Sequence, residues 1–164
     1  MENMELIHEK WMKKALKYAQ RAANLGEVPI GALIVKDEEV ISYSYNKKES
    51  LHSSLGHAEL MAIHLASKKL NNWRLTDCTL YVTLEPCLMC AGALWQSRIS
   101  NVIFGAYDPK GGGLGSLYSF QSDDRLNHSF EVKGGVLERE CAHLLTNFFK
   151  NRREENRARK LSRK

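Results

Sequence analysis

Two short segments constrain this 164-residue chain more than anything else in it: His57-Ala58-Glu59 and Pro86-Cys87-Leu88-Met89-Cys90. Each stands at the head of an expected helix, and a strongly apolar segment separates them. Cys87 and Cys90 are three apart, which puts both thiols on one side of a helix in adjacent turns. They fall in its first turn, where unpaired N–H groups and the helix dipole favour thiolates. His57 opens another helix and can face the same point. Histidine and cysteine are zinc ligands, and three protein ligands leave the fourth tetrahedral corner open for water. Glu59 is close by but angularly offset from His57. It can approach that water rather than the metal and move its proton. A fold that uses these residues must bring two helix starts together.

Each piece alone admits other readings. A C-x-x-C pair also serves redox chemistry or half of a structural zinc finger, but no second C-x-x-C completes a four-cysteine site, and a redox pair needs no H-x-E. The even cysteine count (Cys78, Cys87, Cys90, Cys141) invites disulfides, against which stands the absence of a secretion leader. Cys78 and Cys141 read as small buried apolar residues. His64 reads as an ordinary packing residue. Asn127-His128 is a polar loop pair, equally readable as a turn or as functional.

Hydrophobic periodicity orders the rest. Glu5 to Asn24 is an amphipathic helix on Trp11, Met12, Ala15, Leu16, Ala19, Ala22 and Ala23. Gly31 to Lys36 and Val40 to Tyr45 make a hairpin across Asp37-Glu38-Glu39. A polar loop from Asn46 to Gly56 leads into the helix from His57 to about Leu70. Cys78 to Leu84 is the strongest strand, and Pro86 suits the first position of the helix that runs to Trp95. Asn101 to Ala106 is a strand. The glycine-rich Asp108 to Ser116 is a flexible loop of the kind that lines sites, without the order of a phosphate loop. Phe130 to Lys133 and a helix from Val136 to about Arg157 complete the chain. This order predicts one domain with a mixed sheet covered by helices on both faces.

The net charge is +5, and the segment Lys150 to Lys164 holds eight basic and two acidic residues, or +6. The remaining body therefore carries 5 − 6 = −1. A basic end of this kind fits contact with phosphates and fits a solvated helix end equally well. No apolar run is long enough to span a membrane. Met1 to Lys14 is charged and amphipathic, unlike a signal peptide, so a cytoplasmic location is expected.

The H-x-E…P-C-x-x-C pattern resembles that of the zinc nucleobase deaminases. Several further segments are similar to one branch of them, the bacterial tRNA-specific adenosine deaminases: Glu27-Val28-Pro29-Ile30-Gly31-Ala32, Thr79 to Ala93, Ser97-Arg98-Ile99, Phe104-Gly105-Ala106, Asp108 with Lys110, Gly115-Ser116-Leu117, Asn127-His128, and Phe148-Phe149 with Arg152-Arg153. The resemblance implies a three-layer α/β/α fold around a mixed five-stranded sheet, like that of cytidine deaminase. It implies a deaminase domain over residues 1–153 and a basic tail over 154–164. It also implies a homodimer with one zinc per subunit, and conversion of adenosine to inosine at the wobble base of a tRNA anticodon, an arginine tRNA among the candidates.

Carried over residue by residue, His57, Cys87 and Cys90 are the zinc ligands and Glu59 the proton shuttle. Asn46 hydrogen-bonds the base, while Val28, Pro29 and Pro86 form pocket wall and Ala58 supplies backbone beside the base. Asp108, Lys110, Phe149 and Arg152 stand near the RNA. One departure is Leu55-Gly56, where relatives often carry Thr-Ala; the glycine is expected to loosen the helix start. Two rivals stay in view. One is a deaminase of a free base or nucleoside with the same zinc chemistry; the other is a zinc-stabilised RNA-binding module without catalysis, against which Glu59 argues.

Overall fold

The computed structural model describes residues 3–163. Met1, Glu2 and Lys164, the ends of the expected charged N-terminus and basic tail, lie outside the described residues. The helices are α1 (Met4–Asn24), α2 (Ala58–Leu70), α3 (Leu88–Gln96) and α4 (Glu138–Ser162). The strands are β1 (Gly31–Lys36), β2 (Glu39–Tyr45), β3 (Thr79–Leu84), β4 (Asn101–Ala106) and β5 (Glu131–Lys133). They form one sheet in the order β2-β1-β3-β4-β5. β1 is antiparallel to both β2 and β3, while β3, β4 and β5 run parallel. The mixed three-layer sheet expected from the element order is therefore observed.

Strand alternation explains the layers. Side chains on a strand point to opposite faces in turn. Ala32, Ile34, Leu80, Val82, Val102 and Phe104 face α2 and α3, making one core. Leu33, Val35, Tyr81 and Ile103 face the other way, against Trp11, Met12 and Ala15 of α1 and Cys141 of α4. Cys78 and Cys141 are 0% and 1% exposed, the buried apolar cysteines expected. α1 packs closely enough that a Cβ on Gly31 would overlap the Ala15 carbonyl.

Four expectations need correction. Pro86 is not the first residue of α3: Cys87 caps that helix in extended backbone, and the Pro86 carbonyl instead accepts the Gly113 N–H at 2.8 Å. α4 runs past Arg157 to Ser162, because the Lys-, Arg- and Glu-rich end is good helix-forming sequence and nothing breaks it. His64 does not pack; the buried stripe of α2 is Ala58, Glu59, Ala62 and Ala66, which leaves His64 exposed. Gly56 tightens rather than loosens its neighbourhood, since a Cβ there would stand 2.8 Å from the Lys48 nitrogen. The Lys47 N–H bonds the Gly56 carbonyl at 2.8 Å, closing the loop just before His57. Among the described residues, no helix is long and apolar enough to cross a membrane.

Candidate metal centre and active site

The parallel strands β3 and β4 end side by side, and the chain leaves them through Glu85-Pro86-Cys87 and through Tyr107-Asp108. Carboxyl ends of parallel strands are where open α/β sheets gather ligands. Two helix starts meet there. His57 is the N-cap of α2 with extended backbone (φ −86°, ψ 141°), and its side chain makes no capping bond. Cys87 is the N-cap of α3 in the same manner (φ −74°, ψ 174°). Both side chains are thus free to turn away from their own helices.

They turn toward each other. His57 Nδ1 is 3.7 Å from Cys87 Sγ and 3.5 Å from Cys90 Sγ. Tetrahedral zinc, with bonds of about 2.3 Å to sulfur and 2.0 Å to nitrogen, sets its donors roughly 3.5–3.8 Å apart. The donor atoms of the three residues lie within 4.8 Å of one another, and among the described residues they are the only such group. The set fits zinc. The hydrogen bond from Cys90 pulls Cys87 down to about 4, and that same bond, with burial, pushes Cys90 up. The bond to Cys87 raises His57 in turn.

Glu59 lies one helical step from Ala58 and is only 4% exposed. Burial pushes its carboxyl up to about 7, against the opposing pull of its own backbone N–H and of His57. A carboxyl in that range both gives and takes a proton near neutrality. Ala58 is the first residue of α2, so its N–H lies outside the helix's own bonding. Asn46 is 5% exposed, and its side-chain amide is engaged by no other described residue. Pro29 and Pro86 are buried.

Four of the residues carried over for RNA contact or the pocket wall converge on one cleft. Val28, Asp108, Lys110 and Phe149, from three different segments, line a cavity of about 560 Å³ together with Arg153. Arg152 is not among them. Its guanidinium donates to the Gly26 carbonyl at 2.6 Å and lies over Phe148, tying α4 to the end of α1. Asp108 is partly committed as well, since Oδ1 accepts the Lys110 and Gly111 N–H groups at 3.0 and 3.1 Å.

Two buried carboxylates escaped the reading of sequence as site residues. Glu27, 1% exposed, accepts the N–H groups of Glu49 (2.6 Å) and Ser50 (3.2 Å) and the Ser50 hydroxyl (3.2 Å). Glu85, 2% exposed, accepts from the Asp108–Ser116 loop. The one signal in the sequence was a lone acid at each edge of an apolar stretch. In the Asn127-His128 pair, His128 Nε2 meets the Ile99 carbonyl at 2.7 Å.

Comparison with known proteins agrees with this geometry. The family model of the MafB19-like deaminases matches residues 6–153. The chain is 49% identical over 150 residues to the tRNA-specific adenosine deaminase of Bacillus subtilis, covering 92% of this chain and 93% of that one. The chain belongs to the tRNA-specific adenosine deaminase family. A solved structure from work on A-to-I editing by tRNA:A34 deaminases at the wobble position of transfer RNA superposes on this deaminase with a TM-score of 0.79 at 42% identity, covering 82% of this chain and 97% of that chain. The guanine deaminase of Bacillus subtilis matches less of it: TM-score 0.59 and 38% identity over 61% of this chain and 64% of that one. The family brings with it the fold observed here and hydrolytic deamination as the chemistry.

Proposed function

We propose that this deaminase converts adenosine to inosine at the wobble position of a tRNA anticodon, with zinc held by His57, Cys87 and Cys90. Glu59 carries the assignment. A buried carboxyl beside three metal donors has no use in a purely structural site, and its raised proton affinity suits a shuttle. Zinc in this site supplies a Lewis acid that brings the pKa of a water molecule toward about 7.

The chain does the rest. Asn46 and the Ala58 N–H hold the base, which enters unpaired from an anticodon loop. Pro29 and Pro86 wall the pocket. Glu59 takes a proton from the attacking water and gives it to N1 of adenine as the oxygen bonds to C6. Glu59 then moves the second proton to the 6-amino group, which leaves as ammonia. Val28, Asp108, Lys110 and Phe149 receive nucleotides flanking the target, and Arg152 acts near the RNA by supporting α4 beside them.

The finer assignments rest on further features. Leu88 and Met89 are 43% and 37% exposed on α3, with Leu117 and Tyr118 exposed nearby in sequence to its partner loop; this apolar surface supports a homodimer with one zinc per subunit. The deaminase domain is residues 1–153, and the basic 154–164 segment, helical as far as Ser162, serves contact with phosphates. The substrate includes an arginine tRNA, and the location is the cytoplasm. The test is to incubate zinc-loaded protein with an anticodon stem-loop bearing wobble adenosine, with free adenosine, and with guanine. Inosine in the stem-loop alone is expected. Turnover of guanine without stem-loop editing would replace this reading with a free-base deaminase.

A further inference from the structure

Glu85 stands two residues before Cys87 and is 2% exposed. An ion removed from water costs several kcal/mol unless something replaces its hydration. No lysine or arginine does so, for among the described residues the ion pairs are Arg125–Asp123 and Lys133–Glu5. All four donors to the Glu85 carboxylate come instead from one loop. They are the N–H groups of Asp108 (3.3 Å), Leu114 (3.2 Å) and Ser116 (3.1 Å), and the Ser116 hydroxyl.

The loop in question holds Gly111, Gly112, Gly113 and Gly115, and a chain so rich in glycine loses much entropy on ordering. Its ordering follows the carboxylate closely. A Cβ on Gly112 would overlap Glu85 Oε2. Gly113 donates to the Pro86 carbonyl at 2.8 Å, and Gly112 forms a β-bridge with Cys87. The segment that presents a metal donor and the loop that presents Asp108 and Lys110 to the cleft are thereby joined.

We propose that Glu85 is a positioning residue for substrate: its carboxylate sets the Asp108–Ser116 loop and so fixes one wall of the nucleotide cleft relative to Cys87. The proposal rests on the tRNA-editing reading for the identity of the substrate, but not for the clamp itself. A residue that only filled space would affect stability alone. A residue that positions the loop affects the binding of a nucleic-acid substrate that reaches Asp108 and Lys110.

Glu85→Gln keeps the shape but turns an NH₂ toward the loop's N–H groups. In the zinc-loaded, full-length variant, KM for the anticodon stem-loop is expected to rise roughly tenfold or more, with kcat within about threefold of wild type. Zinc should remain at one per chain. Amide exchange at Asp108, Leu114 and Ser116 should quicken, while Val82 and Phe104 in the sheet keep their protection. Ser116→Ala, which removes one of the four donors, should give a smaller change of the same kind and serves if Glu85→Gln does not fold. Unchanged exchange in the loop would overturn the clamp. A loosened loop with unchanged KM would overturn its role in substrate positioning, as would loss of zinc in step with the rise in KM. If the wild type makes no inosine, the tRNA reading fails, and the exchange comparison still decides the clamp.

Discussion

Nδ1 of His57 lies 3.5 Å from Sγ of Cys90, although the two residues sit on different helices and are separated by all of β3. A metal at this point therefore ties the start of α2 to the first turn of α3. Removing it should cost stability as well as activity. With free zinc at about a thousand times its Kd, binding contributes roughly 4 kcal/mol. Chelation, or Cys90→Ala, is expected to lower Tm by roughly 8–16 °C. Calorimetry with metal analysis on the same samples checks this; a Cys90→Ala protein with normal zinc content removes Cys90 from the ligand set.

Glu59→Gln should separate chemistry from binding. The amide keeps the volume of a side chain that is 4% exposed but cannot shuttle a proton. Zinc content and stem-loop affinity are expected to hold, while kcat falls by at least about 10²–10⁴. Single-turnover inosine formation measures it, and near-wild-type turnover in a zinc-loaded variant would falsify the shuttle.

Gly112→Ala introduces a methyl where the Glu85 carboxylate already stands. Either the loop or the carboxylate must shift, at a cost of about 1–3 kcal/mol. Denaturant unfolding should show that loss, and KM for the stem-loop should rise with it. An alanine variant with wild-type stability and KM means that the loop is looser than its hydrogen bonds indicate.

Phe149 is 44% exposed at the rim of the cleft, so little folding energy depends on it. Stacking of a base on an aromatic ring is worth about 1–3 kcal/mol. Phe149→Ala is expected to weaken stem-loop binding by roughly 5- to 100-fold through that stacking, while Tm stays near wild type. Equal affinity for the variant would take Phe149 out of the RNA surface.

Deleting residues 154–164 removes five basic and two acidic residues, from a segment that is helical as far as Ser162. If this end meets phosphates, the slope of log affinity against log salt becomes shallower by about 0.7–0.9 for each phosphate that the shortened protein no longer neutralises. Binding of the intact and shortened proteins to the full tRNA across a salt series reads this directly. An identical slope assigns the segment to solvation alone.

The sequence determined the element order, the alternation that makes two cores and the three residues, His57, Cys87 and Cys90, that could hold a metal. Local spacing alone encodes these features. The i, i+3 interval puts Cys87 and Cys90 on one side, and period-two strands divide Leu33 from Ile34. Helix ends were less legible, because caps depend on what else bonds the backbone. Pro86 was drawn out of α3 by Gly113, a partner known only once the loop is folded. Only tertiary structure decided that Glu85 and Glu27 are buried, since an acid at the edge of a strand reads as exposed until its donors are found. The same holds for the cleft, where Val28, Asp108, Lys110 and Phe149 meet from distant parts of the chain. Sequence spacing fixes which groups lie near each other along one element. The packing of helices on both faces of the sheet fixes which elements meet, and with it the wall that a substrate touches.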